Sequence, residues 1–164
     1  MIDPKHFRDV LGSYPTGVCV VTSLAHDGER FGLAVGSFTS ISLDPPLVGF
    51  LPDKSSRSWA RIAPTGRFCV NVLASEQLDA CRRFASKLED KFEGMAHGHS
   101  PAGLPLLDNV LAWIECDIAQ TIEIGDHLLV VGAVRAMERR SDGTPLLFYR
   151  GGYHTLAGLD QATA

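Results

Sequence analysis

Two long strand-forming runs, Ala112 to Ile124 and His127 to Arg139, meet at Gly125-Asp126. A tight turn between two β-type segments specifies an antiparallel hairpin. A two-stranded ribbon has no second layer to cover its apolar residues, so a hairpin this long requires further strands. The chain supplies them. Val18-Cys19-Val20-Val21-Thr22 and Phe31-Gly32-Leu33-Ala34-Val35 flank the turn residues His26-Asp27-Gly28-Glu29 and predict a second hairpin. Leu47 to Leu51 predicts a strand that starts after Pro45-Pro46, because prolines cannot donate to a sheet ladder. Phe68 to Leu73 and Leu146 to Tyr149 complete the set.

Helical signals are short. Asp3-Pro4 caps a helix whose Phe7, Val10 and Leu11 recur at helical spacing until Gly12. A helical piece spans Ser58 to Ile62, and Ser75 is placed to cap another that runs to about Ala85. Ser86 to Asn109 is polar and rich in Gly, Pro and His, which predicts an extended surface loop serving a site or an interface. Many strands with few helices and no long crossover place the fold in the mainly β class, a β-barrel with short helices.

A chain of 164 residues suits one domain with a real core, expected over residues 1–160, with 161–164 as a disordered tail. A formal net charge of −4 offers no field for a phosphate backbone, so nucleic acid is not an expected partner. No apolar run approaches the ~20 residues that span a bilayer, and Met1 to His6 lacks a signal-peptide core, so no membrane association and a cytoplasmic location are expected. Cys19, Cys69, Cys81 and Cys116 form no C-x-x-C pair and read as reduced structural residues, with Cys81 the one open to exposure.

Three segments carry possible chemistry. Ser37, Phe38, Thr39, Ser40, Ile41 and Ser42 put several hydroxyls between two apolar strands. They form either a rim of donors and acceptors for a flavin ring or a polar strand facing water. Lys54, Ser55, Ser56, Arg57 and Ser58 put cations and hydroxyls at a helix start, where free N–H groups favour an anion; the other reading is a simple cap with solvated charges. Arg82 and Arg83, beside Phe84, either add charge near that anion or complement a helix terminus. His127 after Gly125-Asp126, and Tyr149-Arg150-Gly151-Gly152-Tyr153, combine close backbone approach with groups that stack on or pair with a nucleotide; a turn histidine and packed tyrosines are the alternatives. His97-Gly98-His99 lacks third and fourth ligands nearby, so no metal is expected. G-x-G-x-x-G opening a βαβ unit, G-x-x-x-x-G-K-[ST] and G-x-S-x-G are all absent, so a nicotinamide must bind through another architecture.

Taken in order, these segments resemble the flavin reductase-like family of FMN-binding split β-barrels, whose members supply reduced flavin to two-component monooxygenases. The resemblance runs from about Phe7 to Tyr153. It is carried by Tyr14 to Thr22, Ser37 to Val48, Ser55 to Ser58, Phe68 to Leu73, Gly125-Asp126-His127 and Pro145 to Tyr153. It looks most like the reductase components serving aromatic and steroid-phenol hydroxylases, where a Tyr-Arg-Gly-x-Tyr pattern lies on the nicotinamide side.

The resemblance implies a homodimer with flavin near the interface. It implies that Ser37 to Ser42 line the isoalloxazine and ribityl chain, that Lys54 and Ser55 to Ser58 hold the phosphate, and that Arg83 and Phe84 close that end. His127 and Tyr149, Arg150, Gly151, Gly152 and Tyr153 then meet the nicotinamide, with His127 orienting it or moving a proton. FMN or FAD is the expected flavin, with the adenylate of FAD projecting outward, and a separate oxygenase is the expected recipient. NADH is the expected donor; NADPH requires an arginine such as Arg139 or Arg150 at its 2′-phosphate. Hydride transfer between stacked rings needs no side-chain nucleophile, so no triad is expected. Two rivals stand beside this reading: a self-contained oxidoreductase that retains FMN, and a non-catalytic split barrel that binds flavin or haem.

Overall fold

The computed structural model describes residues 1–158; the expected domain end at 160 and tail over 161–164 lie outside the described residues. In chain order the elements are α1 (Pro4–Leu11), β1 (Thr16–Gly17), β2 (Cys19–Leu24), β3 (Arg30–Val35), β4 (Thr39–Ser42), β5 (Leu47–Phe50), α2 (Arg57–Ile62) and β6 (Arg67–Val72). They continue with α3 (Leu78–Ala85), β7 (His97–His99), β8 (Pro105–Leu107), β9 (Ala112–Ile124), β10 (His127–Arg139), β11 (Leu147–Tyr149) and β12 (Gly152–His154).

The long hairpin is the spine of a seven-stranded sheet in the order β3-β2-β6-β9-β10-β5-β4, antiparallel throughout. Its turn places Gly125 at φ +59°, a conformation glycine adopts without a Cβ clash. Register shifts after Val131 and Val134 bend the ribbon as bulges do. At Gly132 a Cβ would stand 2.5 Å from the Phe68 ring, so glycine is what lets β10 close over the core. The outer strands β3 and β4 do not pair with each other, which leaves the barrel split. β1, β11 and β12 form a separate three-stranded sheet, and β7 with β8 a small hairpin.

Strand alternation explains the apolar runs, because β2 and β6 are buried on both faces. Cys19, Val21, Phe68 and Val70 point to one core with Phe50, Trp59, Ile62, Cys116 and Val130. Val18, Val20 and Cys69 point to a second core with Phe84, Phe92, Leu104, Leu107 and Trp113. Phe50 meets Trp59 and Phe68 edge-on at 5.6 and 5.2 Å.

Two expectations need correction. Ser86 to Asn109 is not a polar surface loop: it contains β7 and β8 and buries Phe92, Leu104, Leu106 and Leu107 in the second core. Its apolar residues are spaced among Gly, Pro and charged residues, so no period betrays them. Ser75 does not cap the third helix. It opens a single 3-10 turn, Ser75–Gln77, and its hydroxyl bonds Glu76 and Thr144 while the Gln77 side chain accepts from Ala74 N–H. The cysteines are structural as expected: all four, Cys81 included, are free and buried, and burial pushes the Cys19, Cys69 and Cys116 thiols up to about 12.

The segment is fastened to the sheet by buried polar groups. Asn71 donates to Val20 O and Thr22 Oγ1 at 3.1 Å and accepts from Leu107 N–H at 2.9 Å. Thr22 donates to Pro105 O. Asn71→Ala strands several buried partners at once. A loss of about 2–4 kcal/mol in chemical denaturation is expected; a change below about 0.5 kcal/mol would show that this clamp is dispensable.

Candidate functional site

The segment from Ser55 to Ser58 turns into α2 beside β3, and the chain leaving α3 passes on the other side. Between them lies a cavity of about 350 Å³ lined by Gly32, Ser55 to Ser58, Phe84 and Lys87 to Glu89, with Arg30, Arg61 and Lys91 also on its wall. Ser56 caps α2 by accepting from Trp59 N–H at 3.2 Å, and Ser55 donates its N–H and hydroxyl to Asp53. These bonds hold the Asp53 carboxyl below its usual range, with the charge of His127 adding to them.

Lys91 is the group that gives this cavity its chemistry. Its side chain is nearly buried, and its ammonium donates to Ser58 Oγ and Phe84 O at 2.9 Å and to Gly32 O at 3.2 Å. All three donors are satisfied, yet no carboxylate pairs with it among the described residues. Burial first, and the Arg57 cation second, push its pKa below the ordinary lysine range. A buried cation whose hydrogen bonds are met but whose charge is not calls for an anion. Glu89 lies near Arg57 and Arg61 at 4.0 and 3.8 Å, and Arg61 also pairs with Glu29; these are exposed ion pairs that an incoming anion displaces at little cost.

Lys91 escapes sequence reasoning because it sits in the stretch taken as a solvated loop. The one signal was its neighbour Phe92, an aromatic residue in an otherwise polar run, which drags Lys91 inward. Of the two residues expected to close this end, Phe84 lines the cavity. Arg83 instead donates to Lys91 O at 2.9 Å and faces Glu93, so it braces the lysine's backbone from outside the cavity lining. Gly32 is needed here: a Cβ would stand 2.2 Å from the Phe84 ring.

The hydroxyl-rich segment forms β4, the edge strand next to β5. Thr39, Ser40 and Ile41 are exposed, and a bulge at Ile41 interrupts the pairing between Ser40 and Ser42. Ser37 is tied to Leu51, accepting its N–H at 2.9 Å, and Phe38 packs on the inner core. The start of the segment is thus anchored, and Thr39, Ser40 and Ile41 after it are exposed.

His127 stands at the mouth of the long hairpin. Its Nδ1 lies 2.7 Å from Asp126 Oδ1, an interaction that lowers the Asp126 pKa, and its backbone bridges to Asp53. Lys54 N–H donates to Asp126 O, and its ammonium pairs with Glu123 at 2.8 Å. The fold therefore seats His127 two residues from Ser55, while the charge of Lys54 is spent on the hairpin.

Tyr149 to Tyr153 lie on the other sheet. Arg150 and Gly151 make the tight turn between β11 and β12 at φ +49° and +76°, and Arg150 N–H donates to Gly12 O at 3.0 Å. Tyr149 carries the Arg150 guanidinium 5.1 Å from its ring centre; Gly152 pairs with Tyr149. Tyr153 packs against the second core and accepts from the Cys81 thiol. Among the described residues no hydrogen bond or ion pair joins this hairpin to His127 or to the cavity serines.

The fold is a split β-barrel with a cation-walled cavity between β3, α2 and the chain leaving α3, and with a hydroxyl-bearing strand, β4, at the other end of its sheet. The chain belongs to the family described as flavin reductase like domain, whose model matches residues 11–157. It is 56% identical over 158 residues to a flavin reductase of Pseudomonas putida, covering 96% of this chain and 93% of that protein. It is 48% identical over 152 residues to the reductase subunit HsaB of a flavin-dependent monooxygenase from Rhodococcus jostii, covering 93% and 77% of the two chains. Its fold superposes with a TM-score of 0.89 on the NADH:FAD oxidoreductase of Streptomyces globisporus in complex with NAD and FAD fragments, at 34% identity and over 99% and 98% of the two chains.

The charge state of Lys91 gives a test with a definite sign. Its folded pKa lies below the 10.5 of an ordinary lysine, so the fold favours the neutral form, and stability without ligand rises as pH climbs through that window. A bound phosphate reverses this by favouring the charged ammonium. The advantage of FMN over riboflavin in binding is expected to fall as pH rises toward 10.5, and to lose that pH dependence in Lys91→Met. Titrations of both flavins across this range decide it; an FMN advantage that is flat with pH in the parent protein refutes the assignment.

Proposed function

We propose that this chain is an NAD(P)H:flavin oxidoreductase that takes hydride from NADH, passes it to FMN or FAD, and releases the reduced flavin to a separate oxygenase. The observation that carries the reading is the cavity at Lys91, where a buried, unpaired cation, Ser55 to Ser58 and Arg57 fit the flavin's phosphate. When bound, the flavin supplies the hydride acceptor and the nicotinamide the donor. The protein's own part is positioning. β4, Thr39–Ser42, exposed from Thr39 to Ile41, offers donors and acceptors to the ring and ribityl chain, and Lys91, Arg57 and Ser58 fix the phosphate end. His127, held by Asp126 and half exposed, orients the nicotinamide.

Release of product requires a site that opens, and β4 is an edge strand whose hydroxyls no other strand covers. The relatives described as reductase subunits of monooxygenases support the separate oxygenase, and the NADH:FAD oxidoreductase supports NADH as donor. The working form is a homodimer. Phe7, Val10 and Leu11 on α1, Leu43 beyond β4, Ile124 at the long hairpin and Met137 on β10 are exposed apolar residues that a second copy would cover, which supports this reading. A dimer also gives the Tyr149 to Tyr153 hairpin, remote from the cavity in connectivity, a place facing the partner's nicotinamide.

Oxidation of NADH and NADPH by purified protein, followed by nicotinamide absorbance with and without FMN, FAD and riboflavin, tests the reading. A rate that climbs with free flavin and saturates, on protein that loses flavin on dialysis, is the expected result. Flavin kept through dialysis indicates a self-contained oxidoreductase, and binding without oxidation indicates a binding module. His127→Ala is expected to lower turnover about tenfold while leaving flavin affinity within about twofold; equal kinetics in the variant and parent would remove His127 from the mechanism.

A further inference from the structure

We infer that Cys81 is a positioning residue for the nicotinamide: through its hydrogen bond to Tyr153 it ties the β11–β12 hairpin to α3 and so fixes the face that presents Tyr149 and Arg150. The inference deepens the reading above that this hairpin serves the nicotinamide, and rests on it.

The hairpin has little to hold it. Its strands are three residues long, and a ribbon that short is marginal without further packing. β1 adds two residue pairs along β11, Thr16 with Phe148 and Gly17 with Leu147. Leu146 N–H donates to Leu73 O at the entrance, and Arg150 N–H to Gly12 O at the turn. These bonds fasten β11 and the turn, whereas β12 is the free edge of its sheet. Among the described residues β12 has one hydrogen bond beyond that sheet, in which the Cys81 thiol donates to Tyr153 Oη at 3.5 Å.

Strand geometry turns this one bond into an orientation. Phe148 and Tyr153 are directly paired, so their side chains share a face, and their rings meet at 5.3 Å. Tyr149, one residue along, belongs to the opposite face together with His154, whose ring lies 5.9 Å from its own. Tyr153 packs against the second core with its hydroxyl on Cys81. Tyr149 is thereby turned away from that core, with the Arg150 guanidinium 5.1 Å from its ring centre. A slip of β12 that released Tyr153 would re-aim Tyr149 as well.

The contact matters because of where its other end sits. Cys81 and Phe84 are three residues apart on α3 and both buried, so they lie on one face of the helix. Phe84 lines the cavity proposed for the flavin's phosphate, and Cys81 seats the hairpin proposed for the nicotinamide. One short helix therefore carries a wall of each. A thiol suits this duty, since it packs in the core as a small hydrophobe and still offers a donor. That donor is weak, so it aims the phenol while adding little to the stability of the fold.

Steady-state kinetics of Cys81→Ala, Tyr153→Phe and the double variant test this, with FMN titrated onto each and circular dichroism reporting the fold. Tyr153→Phe keeps the ring beside Phe148 and removes only the hydroxyl, so it decides the matter even where Cys81→Ala does not fold. Each single variant is expected to raise the KM for NADH about fivefold, with kcat and FMN affinity within about twofold of the parent. The double variant is expected to raise it no further, because both changes remove the same contact. An unchanged KM in Tyr153→Phe, effects that add in the double variant, or a parallel loss of FMN affinity each overturn the inference. Failure of the underlying reading looks different: Tyr149→Ala and Arg150→Ala would then leave the KM for NADH unchanged too. A rise in those two with none in Tyr153→Phe removes Cys81 alone.

Discussion

The ligand-facing half of this molecule depends on one buried amide. Asn71 lies near the end of β6, between Val70 and Val72, and is fully buried. A polar group in such a place is tolerated only when its hydrogen bonds are met, and here they are met by Val20, Thr22, Cys69 and Leu107. Three of these belong to the sheet, and the fourth belongs to β8. The amide therefore converts a long excursion after α3 into a part of the core. Glu115, likewise buried, repeats the device by accepting Ala102 N–H at 2.9 Å. With both ends of β8 pinned, Phe92 has a fixed bed beside Phe84, and Lys91 is carried into the cavity wall.

Charge then sorts itself by depth. Ion pairs on the rim, such as Lys54 with Glu123 and Arg135 with Asp117, lie in water, where screening leaves them little weight. Lys91 differs because its surroundings are protein dipoles. Carbonyls of Gly32 and Phe84 satisfy its hydrogens without cancelling its charge, which keeps the attraction for an anion that surface screening removes elsewhere. Arg30 follows the same pattern in milder form, fixed by a ring and an imidazole instead of a carboxylate. The cavity's positive character thus comes from cations that the fold has left without a carboxylate, and their number alone does not describe it.

The features most legible in the sequence are those in which one residue type answers one physical demand. The ends of the long hairpin, the start of the strand after Pro46 and the Asp3 cap of α1 all follow from such demands, and they stand where expected. Ser56 caps α2, as the simpler of the two readings had it, and the Ser55 to Ser58 segment also lines the cavity. What sequence reasoning lost is long-range. Ser86 to Asn109 looks polar because its buried residues, Phe92, Leu104 and Leu107, are held by tertiary contacts with no period of their own. Lys91 was lost with it. The placement of Tyr149 to Tyr153 on a separate sheet, away from His127, is a matter of topology that no local pattern encodes.

Site and core are therefore built on different terms. The core is two layers of interlocked aromatic and branched residues, and little in it can move without opening a void. The site lies outside it, on an edge strand, a helix start, a hairpin mouth and the segment clamped by Asn71. Each wall is fixed to the core by a few named bonds: Ser37 to Leu51, Asp53 to His127, Lys91 to Phe84. Geometry fixed in this way is accurate enough to orient two rings, since only positioning is asked of the protein. The same geometry leaves the outer edge of β4 uncovered by the chain's own strands. A protein that must surrender its product has reason to grip the phosphate end firmly and the ring end lightly, and the division between buried Lys91 and exposed β4 supplies that asymmetry.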